Sequence, residues 1–311
     1  MSRLRVGVIA NPYAAKRRSG NIGHDVCALL GAAGLSVIDL SAPDALTAKR
    51  RAEAVIDTLD ALVVVGGDGT VALGASLVCG TSIRLGIVPA GSGNDFARAI
   101  GLPLDDADAA VRVIVSALAR GEQRIDAIEA HFEGGPEGSS VIALGNLNMG
   151  FDAIVNARAN RSRYGYSGAV ARELLSYRPR RYWVELDGGE RQHIDASLVT
   201  LSNAGYFGGG MKYCPVSKVD DGVLEFVTVS GLSRAGLVRF FPRVFSGTHV
   251  SLPHYTVTAC ASLTIGSDDP IEVCSDGETR AFLPLRARVL PGAVSILAPQ
   301  LHDDQFQEAA A

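Results

Sequence analysis

Before residue 90, four short apolar runs rich in β-branched residues recur: RVGVIA (5–10), LSVIDL (35–40), ALVVV (61–65) and LGIVP (85–89). Runs of this kind read as strands buried on both faces. Between them, segments 21–33, 44–59 and 70–79 carry Ala and Leu at helical spacing. A further helix is expected over 105–119, where Asp105, Asp106 and Asp108 suit the positive end of a helix dipole. Strands alternating with helices require a parallel sheet with right-handed crossovers.

After about residue 125 the rhythm changes. Helical spacing persists over 151–160, 167–177 and 233–246, but the remainder reads as strand: 182–187, 197–203, 223–229, 255–259, 262–265, 271–275, 287–290 and 293–297. Asp187-Gly188-Gly189 is a hairpin turn between two of these runs. The fold class is therefore α/β plus β, with an α/β unit followed by an antiparallel one. The tail HDDQFQEAAA is expected to fray.

Composition removes several function classes. With 47% hydrophobic residues and a net charge of −4, the chain is neither disordered nor a whole-chain nucleic-acid binder. Its five cysteines, Cys27, Cys79, Cys214, Cys260 and Cys274, are dispersed and odd in number. They indicate reduced thiols in a cytoplasmic protein rather than a disulfide framework or a zinc site. The apolar run near the start is too short for a signal peptide, and no stretch approaches the ~20 residues of a membrane span.

Two glycine-rich loops carry the chemistry. GGDGT, Gly66 to Thr70, follows the strand ALVVV and precedes a helix. Glycines there let the backbone turn sharply and approach an anion, and the helix start favours negative charge. A carboxylate in such a loop, Asp68, makes sense where a cation or a hydroxyl proton lies between it and a phosphate. PAGSGNDFARAIGLP (89–103) also follows a buried strand and opens into a helix. Both loops fall at the carboxyl ends of parallel strands, where open α/β sheets bind ligands. Ser92, Asn94 and Asp95 offer hydrogen bonds to phosphate, substrate or metal-bound water. Arg98, one turn on, suits either a phosphate or the acidic loop itself. Asn11-Pro12 ends the first strand.

GGDGT followed by GSGNDFAR resembles the soluble bacterial diacylglycerol kinases and the wider lipid-kinase group that includes the sphingosine kinases. NMGFDA (148–153), YFGGGMKYCPVSKVDDGVLEF (206–226) and SDGE (275–278) extend the resemblance over nearly the whole chain. GGDGT alone is shared with NAD kinases, whereas the NDFAR element and the distal DGE favour lipid kinases. The resemblance implies a NAD-kinase-like α/β N-terminal domain (1–127) and a β-sandwich-like lipid-substrate domain (128–290). The final segment (291–311) would return to the first domain, and the active site would lie in the cleft between the two.

It also implies ATP as phosphoryl donor, Mg²⁺ as cofactor and a membrane lipid hydroxyl as acceptor, diacylglycerol first, giving phosphatidic acid. Carried over by position, Asn11, Pro12, Gly66, Gly67, Asp68, Gly69, Thr70, Gly91, Ser92 and Asn94 contact nucleotide. Asp68, Asp95 and Asp126 form a carboxylate network around Mg²⁺ and its waters. Glu278 is the base that receives the acceptor's proton; taken alone, Asp276-Gly277-Glu278 is also a standard hairpin turn. A separate structural Mg²⁺ uses Asp221 with the carbonyls of Lys218 and Val223. A homodimer is a further expectation.

Three departures stand out. Val71, Ala72 and Leu73 follow GGDGT where the family often has an Asn-Glu pair, Tyr13 to Arg18 interrupts the usual NP loop, and Ser92 replaces a commoner Thr. The competing readings are a kinase for another lipid alcohol (a sphingoid base, ceramide, monoacylglycerol or glycolipid), a NAD kinase, or a nucleotide-binding regulator without catalysis. Residues 158–181 hold seven arginines (Arg158, Arg161, Arg163, Arg172, Arg178, Arg180 and Arg181) against one acid, Glu173. With interleaved tyrosines they suggest peripheral membrane contact.

Overall fold

The computed structural model describes residues 3–12, 22–121, 123–133, 140–150, 178–275 and 278–301. The helices expected over 151–160 and 167–177, the arginines from Arg158 to Arg172, the Asp276-Gly277 pair and the tail from His302 lie outside the described residues. The chain divides into two units. One comprises residues up to Ile125 together with those from Gly292 onward, and the other comprises Asp126–Pro291.

In the first unit, strands β1 (Arg5–Ala10), β2 (Ser36–Asp39), β3 (Ala61–Gly66) and β4 (Arg84–Pro89) lie in the order β2-β1-β3-β4, all parallel. Ser295–Leu297, the end of the chain's last strand, pair in parallel with Arg84–Gly86 on the far side of β4. The connecting helices are α1 (Ile22–Ala32), α2 (Ala45–Glu53), α3 (Asp68–Val78), α4 (Asp95–Ala99) and α5 (Ala107–Arg120). Asp44 caps α2 by accepting the Thr47 N–H at 2.8 Å, and Asp106 caps α5 by accepting that of Ala109 at 2.9 Å.

Alternation along β3 sorts its valines. Val63 and Val65 join Val26 and Leu30 of α1 and Ile114 of α5 in one core. Val64 faces α3, close enough that a Cβ on Gly74 would come within 2.6 Å of it. All three valines are wholly buried, which is worth roughly 2 kcal/mol each.

The second unit is built on β5 (Gln123–Phe132, its first residues still in the first unit), β6 (Ser140–Ala143), β7 (Asn146–Gly150), β8 (Arg180–Leu186), β9 (Gln192–Ala196) and β10 (Leu198–Ser202). The small hairpin β11 (Tyr206–Phe207) and β12 (Met211–Lys212), then β13 (Leu224–Val229), helix α6 (Arg234–Ser246) and β14 (Tyr255–Cys260) follow. β15 (Ser262–Gly266), β16 (Glu272–Ser275), β17 (Glu278–Phe282) and β18 (Leu285–Leu297) complete it.

One set of strands runs β18-β15-β8-β9, with β5 on β18 and β6 on β5; a six-stranded sheet runs β14-β13-β10-β7-β16-β17. Ile128, Tyr182 and Leu263 from the first set pack against Leu147, Val199 and Phe226 from the second, the interleaved core of a β-sandwich. On the outer face of the six-stranded sheet, Leu237, Phe240 and Val244 of α6 cover Leu198, Val227 and Val229.

Several sequence expectations are corrected. Helix α3 begins at Asp68, so GGDGT is half loop and half first turn rather than a loop before residue 70. The segment expected to be helical over 44–59 ends its α-helix at Glu53, followed by a 3₁₀ turn over Ile56–Thr58. The Asp187-Gly188 turn leads into the polar strand β9, and the run at 197–203 belongs to the other sheet. Residues 287–290 and 293–297 are one strand, not two, because Gly292 at φ 55 is accommodated without ending it. Strands β5, β6 and β7 had no counterpart in the apolar pattern.

Candidate active site

Three loops follow the carboxyl ends of neighbouring parallel strands. The Asn11 N–H donates to Val65 O at 2.9 Å and the Ala90 N–H to Gly66 O at 2.8 Å, so the ladder continues into the loops after β1 and β4. The loops after β3 and β4 then meet. A Cβ on Gly91 would overlap the Cα of Gly67, and one on Gly67 would lie 3.0 Å from the Cα of Gly91. A side chain is excluded at Gly91 and would crowd the same backbone contact at Gly67, which is the physical reason for glycine at both. Gly66 is excluded from having one by Thr70, whose side chain would collide with it.

Asn94 holds the second loop closed. It stands at φ 55, ψ 39, the left-handed region that Asn enters more readily than most residues. Its Oδ1 accepts the Gly91 N–H at 2.8 Å and its Nδ2 donates to Gly91 O at 3.0 Å. Both ends of the buried amide serve the loop itself. Ser92, at the tip, is exposed, as is Pro12; Asn11, Gly69 and Gly91 are partly buried.

The loops bring together two of the expected carboxylates. Asp68 Oδ1 accepts the Phe96 N–H at 3.2 Å. A Cβ on Gly93 would lie 2.9 Å from Asp68 Oδ2 and 3.3 Å from Asp95 Oδ2, so the two acids converge on Gly93. Burial first, and the Asp95 charge second, push the Asp68 carboxyl up to about 6, against opposing hydrogen bonds from the Phe96 and Asp95 amides. Gly93 was not picked out from sequence as a site residue; its position two residues before Asp95 in the loop was the available signal. On α4, Arg98 Nε is buried with no hydrogen-bond partner among the described residues.

Asp126 opens the second unit and is buried on β5. Its N–H donates to Val219 O at 2.6 Å, and its Oδ2 accepts the Gly222 N–H at 2.7 Å. It thereby fastens the loop containing Lys218, Asp221 and Val223. Gly222 stands at φ 73, and Asp221 Oδ1 accepts the Val223 N–H at 3.1 Å. Beyond the loop, buried Glu225 accepts from Ser217, and its carboxyl is raised by burial and then by Asp221. Glu278 opens β17, opposite Ser275 of β16.

Among the described residues no three His, Cys, Asp or Glu side chains gather as a metal cage. The Asp68–Asp95 pair fits Mg²⁺ in another way, because that ion binds through one or two carboxylates and keeps several waters. Two acids repelling each other in a partly buried loop form a set that a cation would stabilise. No helix among the described residues is long and apolar enough to cross a membrane.

Residues 5–129 match the Diacylglycerol kinase catalytic domain, and residues 145–298 match the YegS C-terminal NAD kinase beta sandwich-like domain. A diacylglycerol kinase of Mycobacterium tuberculosis is 33% identical over 304 residues, covering 95% of this chain and 96% of that protein. The diacylglycerol kinase of Bacillus subtilis is 26% identical over 260 residues, 82% of this chain and 83% of the other. The fold is shared with a diacylglycerol kinase of Bacillus anthracis (TM-score 0.70, 20% identity, 96% and 98% coverage). It is also shared with an NAD kinase of Archaeoglobus fulgidus solved with ATP (TM-score 0.55, 11% identity, 98% and 96% coverage). With glycine-rich loops closing on an acidic pair and both domain families matched in order, the chain belongs to the diacylglycerol kinase catalytic-domain family, in its form with a YegS-type C-terminal domain.

Proposed function

We propose that this chain is an ATP- and Mg²⁺-dependent lipid kinase that phosphorylates the hydroxyl of diacylglycerol to give phosphatidic acid. The observation that carries the reading is the convergence of Asp68 and Asp95 on Gly93, inside two loops that touch through Gly67 and Gly91. Phosphoryl transfer needs positioning and charge neutralisation more than covalent chemistry. A side-chain-free loop pair lets backbone approach the phosphates, and Arg98 has a guanidinium N–H unused among the described residues.

In this reading Asn11, Pro12, Gly66–Thr70, Gly91 and Ser92 line the nucleotide, and Asn94 keeps their loop in shape. Asp68 and Asp95, with Asp126, would hold Mg²⁺. Bound there, Mg²⁺ would neutralise charge on the transferring phosphoryl group. Glu278 takes the proton of the acceptor hydroxyl as its oxygen bonds to the γ-phosphorus and the bond to the departing ADP oxygen breaks. Asp221, with the carbonyls of Lys218 and Val223, holds a second, structural Mg²⁺.

One assay tests the reading: ATP consumption measured in parallel with diacylglycerol, sphingosine, ceramide and NAD, each with and without Mg²⁺. Turnover is expected with diacylglycerol and Mg²⁺. Turnover of NAD alone, or of a different lipid alcohol at higher kcat/KM, overturns the acceptor.

A further inference from the structure

Helix α6 presents two apolar faces where a surface helix ordinarily has one. Leu237, Phe240 and Val244 are buried against the six-stranded sheet. Val238, Pro242 and Phe245 recur at intervals of four and three and so form a second, exposed stripe, while Phe241 between the two packs partly against the core. Val238 is 54% exposed and Phe245 57%; Val250, just past the helix, is 45% exposed and Val216 61%. A Cβ on Gly247, the C-cap of α6, would lie 3.5 Å from Lys212 Cδ and 3.9 Å from Pro215 Cγ, so the turn bearing Val216 sits against that end of the helix. Single exposed apolar residues are ordinary, but a run of them on one face marks an interaction surface.

The charges around the stripe are of one sign. Helical geometry sets Arg234 on one flank of it and Arg239 and Arg243 on the other. No acidic residue occurs from Ser230 to Ser267, in a chain whose net charge is −4. Among the described residues the three guanidinium groups make no ion pair or side-chain hydrogen bond, whereas Arg180, from the arginine-rich segment, is already paired with Asp269 at 3.1 Å.

We propose that this outer face of α6 docks on the surface of an anionic phospholipid bilayer. An apolar stripe containing phenylalanine, rimmed by arginines and lacking acids, is the chemistry of a helix lying in the headgroup layer. The arginines meet lipid phosphates while Val238 and Phe245 enter the acyl boundary. A second copy of this chain is a poorer occupant, because a two-fold contact through α6 would set its arginines against their own images. The proposal deepens the lipid-kinase reading, since an acceptor dissolved in a bilayer has to be met at its surface.

The test is co-sedimentation of the full chain with vesicles of phosphatidylcholine alone and with added phosphatidylglycerol, at low and high salt. The wild type is expected to bind the anionic vesicles at least tenfold more tightly and to lose most of that preference at high salt. The double variant V238S/F245S and the triple variant R234E/R239E/R243E are each expected to weaken binding tenfold or more. Their melting temperatures and their turnover of a short-chain, water-soluble diacylglycerol should be unchanged. Should a variant fail to fold, vesicle-induced protection of amides 234–246 from hydrogen exchange in the wild type carries the same decision. Wild-type binding by both folded variants, an unprotected α6 on vesicles, or a lipid-free dimer dissolved by F245S overturns the docking face. Vesicle binding through α6 without turnover of any lipid supports the docking face while rejecting the kinase reading. Short-chain turnover without vesicle binding rejects the docking face and keeps the kinase.

Discussion

Gly67 and Gly91 meet backbone to backbone, so closely that a methyl group on Gly91 would overlap the Cα of Gly67. The obstacle is steric rather than conformational, because neither glycine has a positive φ. Gly91→Ala should therefore push the two loops apart. A loss of about 1–3 kcal/mol in stability is expected from overpacking, with kcat/KM for ATP falling more than tenfold. Gly31→Ala is the control. It lies in α1 with open space around it, and removing a helical glycine there should raise stability by about 0.5–1 kcal/mol. Equal thermal and kinetic behaviour of the two variants would reject the contact.

Asp68 ties stability to pH. Its carboxyl is raised to about 6 in the folded chain by burial and by Asp95. A raised carboxyl binds its proton more tightly folded than unfolded, so the site's contribution is fully present below about pH 4 and is lost as the pH rises through about 6. In the absence of Mg²⁺, melting temperature should fall across that window. Asp68→Asn should remove this component and be more stable than the wild type at pH 8, by up to about 3 kcal/mol. Its turnover should nonetheless drop more than ~100-fold. Thermal melts from pH 4 to 8 with and without Mg²⁺ measure both effects; a variant no more stable than the wild type at pH 8 contradicts the assignment.

Asp126 offers a way to separate holding a loop from holding charge. Asp126→Asn retains an oxygen for the Gly222 N–H and should melt near the wild type. Asp126→Ala leaves that amide without its acceptor and should cost about 1–3 kcal/mol. If the charge also serves catalysis, both variants lose activity to a similar extent. Activity that tracks melting temperature alone would show that the residue acts only through the 218–223 loop.

For Glu278 the expectation is kinetic. Glu278→Gln should lower kcat by ~10²–10⁴-fold with the KM for ATP little changed, because in the proposed role only the acceptor loses its base. A raised KM for ATP with kcat intact would assign the residue to the nucleotide instead.

The first sheet was legible because valines such as Val63–Val65 are buried on both sides and leave an uninterrupted apolar run. Strand β7 was not, since its sequence NLNMG places two asparagines in a buried strand. Only the neighbouring strand explains them: Thr200 Oγ1 donates to Asn148 Oδ1 at 3.1 Å, across a register that no local pattern reveals. In β5, Arg124, Asp126, Glu129 and His131 break up the apolar signal in the same way. At the candidate site, the glycine-rich loops and their acids were visible because backbone crowding admits few residue types. The role of Asn94 was not visible, as it depends on a left-handed backbone angle and on a partner three residues back.

The last strand carries a consequence for how this chain comes off the ribosome. Leu285–Arg288 pair with β15 in the second unit, while Ser295–Leu297 pair with β4 in the first. Until nearly 300 residues have emerged, β4 keeps one row of backbone N–H and C=O groups unmatched, an open edge of the kind that recruits stray strands. The first unit is begun first and sealed last, with the second synthesised in between. A fragment ending near Ile125 would lack that seal and keep the open β4 edge, a site for stray strand pairing.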